Sequence, residues 1–150
     1  MKPLILLIVV FCISALATHF YHDKADLVFS GNMSMFMMLV LTAIGHFKFT
    51  AGMTMMMPTY IPFKKELIYA TGIFEIFLGI ALLFPALRQI AGIALIVLLV
   101  LMLPANINAA AKHINLEKAT YDGPGLRYLW FRIPLQFFFI AWVIYFSIKI

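Results

Sequence analysis

The sequence predicts an all-α integral membrane protein, a small helical bundle of about five transmembrane helices in a single domain. Of the 150 residues, 65% are hydrophobic, only 11% are charged, and the mean hydropathy is +1.04. A soluble domain carries roughly 25% charged residues, so a soluble chain of this composition would lack polar side chains to cover its surface. Five long apolar runs in so short a chain cannot all be buried in one soluble core, whereas a bilayer accommodates them.

Five segments come close to the roughly 20 mostly apolar residues that a helix needs to cross a bilayer. We predict spans at about 3–19, 27–47, 67–84, 89–105 and 128–148. Pro104 is expected to close the fourth helix. The stretch from Pro58 to Pro62 should be non-helical, because proline lacks a backbone donor and fixes φ.

The first span has a second interpretation. Lys2, the apolar run that follows it and Ala15-Leu16-Ala17 resemble a signal peptide with an A-x-A cleavage site. Cleavage there would remove the first helix and leave the other helices in the same orientation.

The basic residues predict the orientation of the bundle. The net charge is +5, but the charges stand singly between apolar runs rather than in the patch or stripe that nucleic-acid binding requires. With five spans, one side of the membrane carries seven basic residues: Lys2, Lys48, Lys64, Lys65, Lys112, Lys118 and Arg127. The other side carries three: Lys24, Arg88 and Lys149. The positive-inside rule then predicts a cytoplasmic N-terminus and an outside C-terminus.

The sequence gives little support for a metal site or for thiol–disulfide chemistry. The single cysteine, Cys12, allows neither an intrachain disulfide nor a C-x-x-C pair. His46 has no second His or Cys at ligand spacing, so no metal site is predicted. Methionine clusters at 33–38 and 53–57 suit Cu(I), but methionine is also an ordinary apolar residue. The two clusters fall at opposite ends of the second helix, where they cannot easily share an ion.

Glu75 is the most informative residue, because it lies near the middle of the third span. A charged side chain at that depth costs about 3 kcal/mol on insertion scales, so it faces the bundle interior, finds a partner or stays protonated. Thr71, Gly72 and Gly79 share its helix face and would let a neighbouring helix approach closely. Two interpretations stay open: a proton-linked or ligand-binding carboxyl, or a structural pair that locks two helices.

Arg132 is the expected partner of Glu75. Tyr128 and Gln136 flank it at i−4 and i+4, which gives the fifth helix one polar stripe. Alternatively, Arg132 snorkels to the interface, with Tyr128 and Trp130 as belt residues. That alternative does not explain Gln136, which lies about one turn deeper.

Polar groups from several helices are expected to converge near the cytoplasmic side. His46, Asn106 and Arg132 fall at the cytoplasmic ends of three helices, and Glu75 lies deeper on a fourth. His46 and Asn106 could instead be helix-end residues, with Asn106 as a C-cap. We hypothesise a polar vestibule that opens to the cytoplasm and has Glu75 at its floor.

Several short motifs follow one another in a fixed order along successive helices. They are Gly45-His46-Phe47, the Pro58–Pro62 stretch, Gly72–Glu75 with Gly79, Pro104-Ala105-Asn106 and Trp130–Gln136. With these motifs, about residues 30–148 resemble the DoxX-like (DoxX/DoxD) family of small integral membrane proteins. The resemblance implies a four-helix membrane core, to which the N-terminal helix here is an addition. His46, Glu75, Asn106, Arg132 and Gln136 match the polar motifs of that family.

The resemblance leaves three functions open. DoxD-like members are linked to thiosulfate:quinone oxidoreduction, and other relatives to oxidative-stress or assembly roles in the membrane. We predict an accessory subunit that binds a partner, a quinone or a lipid in a polar intramembrane pocket. The alternatives are a quinone-linked oxidoreductase and a proton-coupled small transporter, so enzymatic activity stays undecided. The expected location is a bacterial cytoplasmic membrane. No cofactor is evident, although a quinone is possible. The possible partners are other membrane or redox subunits, or a second copy of the chain.

Overall fold

The computed structural model describes residues 2–150, and the protein is all-helical, with 81% of residues in helices. Over this range there is no β-strand, only an isolated antiparallel bridge between Asn115 and Thr120. The six α-helices are α1 (Lys2–His22), α2 (Leu27–Lys48), α3 (Thr50–Met56), α4 (Lys64–Leu83), α5 (Pro85–Ala111) and α6 (Leu126–Val143). A π-helical segment, Ile144–Lys149, continues α6 to the C-terminus.

Five of these helices are long and apolar enough to cross a membrane, namely α1, α2, α4, α5 and α6 with its continuation. The 20 residues of α4 cover about 30 Å at 1.5 Å per residue, which matches the hydrocarbon core of a bilayer. Exposed aromatic side chains lie near the helix ends, with Phe20, Tyr21 and Phe84 at one end of the bundle and Tyr60 and Trp130 at the other. Such belts are typical of membrane–water interfaces, so the structure is compatible with a membrane protein.

The connections divide the bundle into two ends. The basic end is formed by the start of α1, the 49–63 segment and the 112–125 segment, and it is the end to which the seven basic residues belong. There, Lys2 Nζ lies 3.9 Å from Glu117 Oε1. The opposite end is formed by the 23–26 turn, the α4–α5 junction at Phe84 and the C-terminus.

Helix α2 is the centre of the bundle, since it contacts α1, α4 and the C-terminal segment. The core between the helices is apolar and includes Met35, Leu39, Leu82 and Leu95, each at most 1% exposed. Gly79 allows α4 to approach α2, because a Cβ there would lie 2.8 Å from the Phe36 ring. Small residues at helix crossings play this role in membrane bundles.

Each predicted span overlaps one long helix, but α5 differs from expectation. It continues through Pro104 to Ala111, so the prediction that Pro104 closes this helix was wrong. Proline is tolerated inside membrane helices where neighbouring groups satisfy the freed carbonyls. Asn106 therefore lies within α5 and not at its C-cap, which is Lys112. The Pro58–Pro62 stretch is non-helical as predicted, and the short helix α3 precedes it.

A buried polar network ties α2 to the C-terminal segment. Asn32 Nδ2 donates to Val28 O at 2.8 Å and to Phe146 O at 2.9 Å. Asn32 Oδ1 accepts from Ser147 Oγ at 2.7 Å. Nearby, Trp142 Nε1 donates to the carbonyl of Gly31 at 3.0 Å. Both amide hydrogens and the amide oxygen of Asn32 are thus engaged, which makes this Asn32 network a structural connection.

Replacing Asn32 should destabilise the bundle. Asn32→Ala removes two hydrogen bonds between helices, and such bonds contribute about 0.6–1.7 kcal/mol each in membrane proteins, so we expect a loss of about 1–2 kcal/mol. Asn106→Ala is the matched control: Asn106 is 3% exposed, against 1% for Asn32, but forms no side-chain hydrogen bond to another helix within residues 2–150. Thermal unfolding in mild detergent measures both variants, and an Asn32→Ala protein as stable as Asn106→Ala would contradict the structural role.

Candidate functional site

Glu75 faces the interior of the bundle, on the side of α4 that packs against α2. Its side chain is 3% exposed, and His46 of α2 is 4% exposed. Gly72, one turn before Glu75, allows this approach, because a Cβ there would lie 3.0 Å from the His46 Cβ. The glycine thus brings the His46 ring to the level of the Glu75 carboxylate.

Two side chains of α2 contact the carboxylate. Thr42 Oγ1 lies 2.9 Å from Glu75 Oε2, and His46 Nδ1 lies 3.6 Å from the same oxygen. His46 Nδ1 also lies 2.9 Å from the backbone carbonyl of Thr42. Since a carbonyl only accepts, Nδ1 carries a hydrogen and donates it to Thr42 O. This cluster of Thr42, His46 and Glu75 is called the acid cluster below.

The acid cluster can hold different numbers of protons without moving. Thr42 Oγ1 lies 2.9 Å from Leu39 O and 2.9 Å from Glu75 Oε2, but a hydroxyl has only one hydrogen. With an ionised Glu75, the hydroxyl donates to the carboxylate. With a protonated Glu75, the carboxyl donates to Thr42, which then donates to Leu39 O. A doubly protonated His46 would add an ion pair at 3.6 Å.

Two polar atoms of the acid cluster have no partner. Within residues 2–150, neither Glu75 Oε1 nor His46 Nε2 makes a hydrogen bond. Yet none of the fully sealed side-chain nitrogen and oxygen atoms in this range lacks a partner. Both atoms therefore border space that a water-sized molecule can occupy.

The other predicted site residues lie on α5 and α6. Asn106 is buried, and Arg132 and Tyr128 are half-buried. Gln136 is buried, and its Nε2 donates to Leu99 O of α5. Arg132 forms no hydrogen bond or ion pair within residues 2–150. The sequence predicted Arg132 as the partner of Glu75, but His46 and Thr42 contact the carboxylate instead.

Two cavities lie away from the acid cluster. One, of about 300 Å³, lies at the basic end between the end of α5 and the 112–125 segment, and Tyr128 lines it. In that segment, the Thr120 hydroxyl donates to the Asp122 carboxylate and lowers the pKa of this carboxyl. The second cavity, of about 250 Å³, is a groove between α5 and α6 that includes Gln136. Neither cavity is lined by Glu75 or His46.

The residues described by the structure contain no group of three or more His, Cys, Asp or Glu side chains placed to hold a metal ion. The methionines also occupy packing positions. Met35 and Met38 lie in the central core, while Met56 packs with Ala109 and Ile114 at the basic end.

The sequence interpretation missed Thr42. It stands four residues before His46 and therefore on the same face of α2, which is the signal that could have identified it. A hydroxyl side chain in an apolar helix commonly donates a hydrogen bond to a carbonyl of its own helix, so it does not by itself indicate a functional site. Its contact with Glu75 depends on how α2 and α4 cross, which no local pattern specifies.

Comparison with protein families assigns most of the chain to a family. The model of a family described as "Domain of unknown function (DUF8561)" matches residues 35–147. No curated protein and no solved structure matches the chain.

Enlarging Gly72 should separate the acid cluster. Gly72→Val inserts methyl groups between α4 and the His46 side chain, where even a Cβ would be crowded at 3.0 Å. Overpacking of this kind costs about 1–3 kcal/mol. Gly45→Val is the control, since a Cβ at Gly45 would meet no atom closer than 3.9 Å. Thermal unfolding compares the two; equal stability would show that Gly72 does not determine the α2–α4 contact.

Proposed function

The chain belongs to the DUF8561 family, whose description names no activity, and we propose from its geometry that it is an accessory membrane subunit that binds a quinone. The head group of a membrane-dissolved quinone would occupy the acid cluster. The observation that carries this proposal is the pair of unpartnered, reachable atoms Glu75 Oε1 and His46 Nε2 within an apolar bundle.

The chemistry of these two atoms suits a quinone. Quinone oxygens accept hydrogen bonds, whereas quinol hydroxyls also donate them. A carboxyl group and an imidazole each donate or accept according to their protonation. Thr42 keeps a hydrogen-bond partner in either protonation state of Glu75, so the bonds within the acid cluster are kept whichever form of the ligand binds.

The surroundings favour a ligand that reaches the site through the bilayer. The acid cluster lies within α2 and α4, two of the five candidate spans. Buried neighbours around it, such as Ala43, Leu39 and Leu78, are apolar. A quinone combines a small polar ring with an apolar tail, which suits a polar pair inside an otherwise apolar bundle.

The DoxX-like resemblance supports the same proposal. A four-helix core of α2, α4, α5 and α6 with α1 as an addition is consistent with the exposure of α1, of which only Leu7 is buried.

We propose a bacterial cytoplasmic membrane as the location, with the basic end facing the cytoplasm. Alkaline phosphatase fused to the C-terminus should then be active outside the cytoplasm, and fused within the 112–125 segment it should be inactive. The reverse pattern would contradict this orientation, and two inactive fusions would contradict an odd number of spans.

Quinone binding can be tested with the full chain in nanodiscs by calorimetric titration with a decyl-substituted benzoquinone. Wild type should bind, and Glu75→Leu should bind about five-fold more weakly, because it removes the neutral hydrogen bond that a protonated carboxyl donates to a quinone oxygen. Glu66→Leu is the control, because Glu66 is an exposed residue in the first turn of the same helix. Wild type that does not bind, or Glu75→Leu that binds equally well, would contradict the proposal.

A quinone-linked oxidoreductase is the second candidate, favoured by two protonatable groups side by side. Reduction of the quinone to quinol takes up two electrons and two protons. Two thiols that become a disulfide supply both. The same nanodiscs, mixed with a dithiol and the benzoquinone, separate the candidates: accelerated quinol formation that Glu75→Gln abolishes identifies an enzyme, and binding without acceleration identifies an accessory subunit.

A further inference from the structure

The groove between α5 and α6 lies at membrane depth and is almost entirely apolar. Its volume is about 250 Å³, and its lining consists of Val100, Leu103, Ile133, Gln136, Phe137 and Ile140. Val100 is 51% and Phe137 is 65% exposed, so the groove opens laterally at the surface of the bundle. At this depth, the surroundings of that surface are lipid chains rather than water.

Both helices carry a proline beside the groove. Pro104 directly follows Leu103, and Pro134 directly follows Ile133, with both prolines inside their helices. A proline removes one helical hydrogen bond, so it weakens regular helix geometry at its own level.

Arg132 lies beside this groove, towards the basic end. It precedes the groove residue Ile133 and stands one turn, about 6 Å, before Gln136 on the same stripe of α6. It is half-buried and has no hydrogen-bond or ion-pair partner within residues 2–150. A guanidinium has five donors and binds phosphate in a fork geometry.

The polar stripe on α6 also extends from Arg132 to the basic end of the bundle. Tyr128, one turn before Arg132, lines the cavity at the basic end, where α6 begins. A long arginine side chain can reach from this depth to the head-group region. From the basic end inward, the surface of α6 thus offers a hydroxyl, a cation and then an apolar groove.

We propose that the α5–α6 groove and Arg132 form a binding site for one anionic phospholipid. The phosphate binds the Arg132 guanidinium, and one acyl chain lies in the groove. Charge complementarity selects the anionic lipid, and the order of cation and groove along α6 fits a lipid in the leaflet at the basic end. This site is separate from the acid cluster and goes beyond the proposed quinone binding.

The test is native mass spectrometry of the full chain, delipidated in detergent and then mixed with phosphatidylglycerol and phosphatidylcholine of identical chains. Wild type should retain one phosphatidylglycerol with about five-fold or greater preference, because the ammonium of choline lies near the phosphate and repels the guanidinium. Arg132→Gln should lose the preference, while Arg127→Gln, an exposed residue of the same helix, should keep it. Equal retention of the two lipids by wild type, or an unchanged preference in Arg132→Gln, would overturn the proposal.

A second pair of variants tests the groove itself and does not depend on the folding of Arg132→Gln. Val100→Phe fills the groove and should reduce retention of the lipid with Arg132 still present. Val97→Phe, at an equally exposed position of α5 outside the groove, should not. Unchanged retention in Val100→Phe would reject the groove as the chain site. Displacement of the lipid by inorganic phosphate alone would also reject it, since the site would then bind the anion without the chain.

Discussion

A carboxyl group buried between apolar helices needs polar partners, and this requirement governs how α2 and α4 pack. Glu75 cannot be exposed to acyl chains at low cost, because a charge at that depth is strongly disfavoured. The structure meets this requirement with Thr42 and His46, both from α2. The close approach in turn depends on Gly72, whose missing side chain leaves room for the His46 ring. The burial of Glu75 on α4 thus depends on Gly72 one turn away and on two residues of α2.

The two polar groups of the bundle differ in a way that bears on function. In the Asn32 network, both amide hydrogens and the amide oxygen are bonded, and the result is a connection between α2 and the C-terminal segment. In the acid cluster, Glu75 Oε1 and His46 Nε2 are left open. A buried polar group that satisfies all its bonds stabilises a fold, whereas one with free and reachable atoms can bind something else. This contrast is why the acid cluster, and not the Asn32 network, carries the proposed function.

The sequence was sufficient to predict the all-helical fold class and five apolar helices, because a run of about 20 apolar residues is compatible with few structures other than a membrane-spanning helix. It also identified Glu75 and His46, since ionisable residues within such runs stand out. Thr42 and Asn32 were missed because hydroxyl and amide side chains occur in membrane helices with local backbone partners. The predicted Arg132–Glu75 pairing depended on how the helices are rotated about their axes. The predicted end of a helix at Pro104 depended on groups from neighbouring helices. A single sequence reveals neither.

The central claim is that Thr42 and Glu75 interact directly across the α2–α4 contact. A double-mutant cycle with Thr42→Val and Glu75→Met, read as the free energy of unfolding in mixed micelles, measures that interaction. The account predicts a coupling energy of about 0.5 kcal/mol or more, because the two groups share one hydrogen bond inside the membrane. Strictly additive effects of the two substitutions would mean that the side chains do not meet, and would contradict the acid cluster on which the proposed function rests.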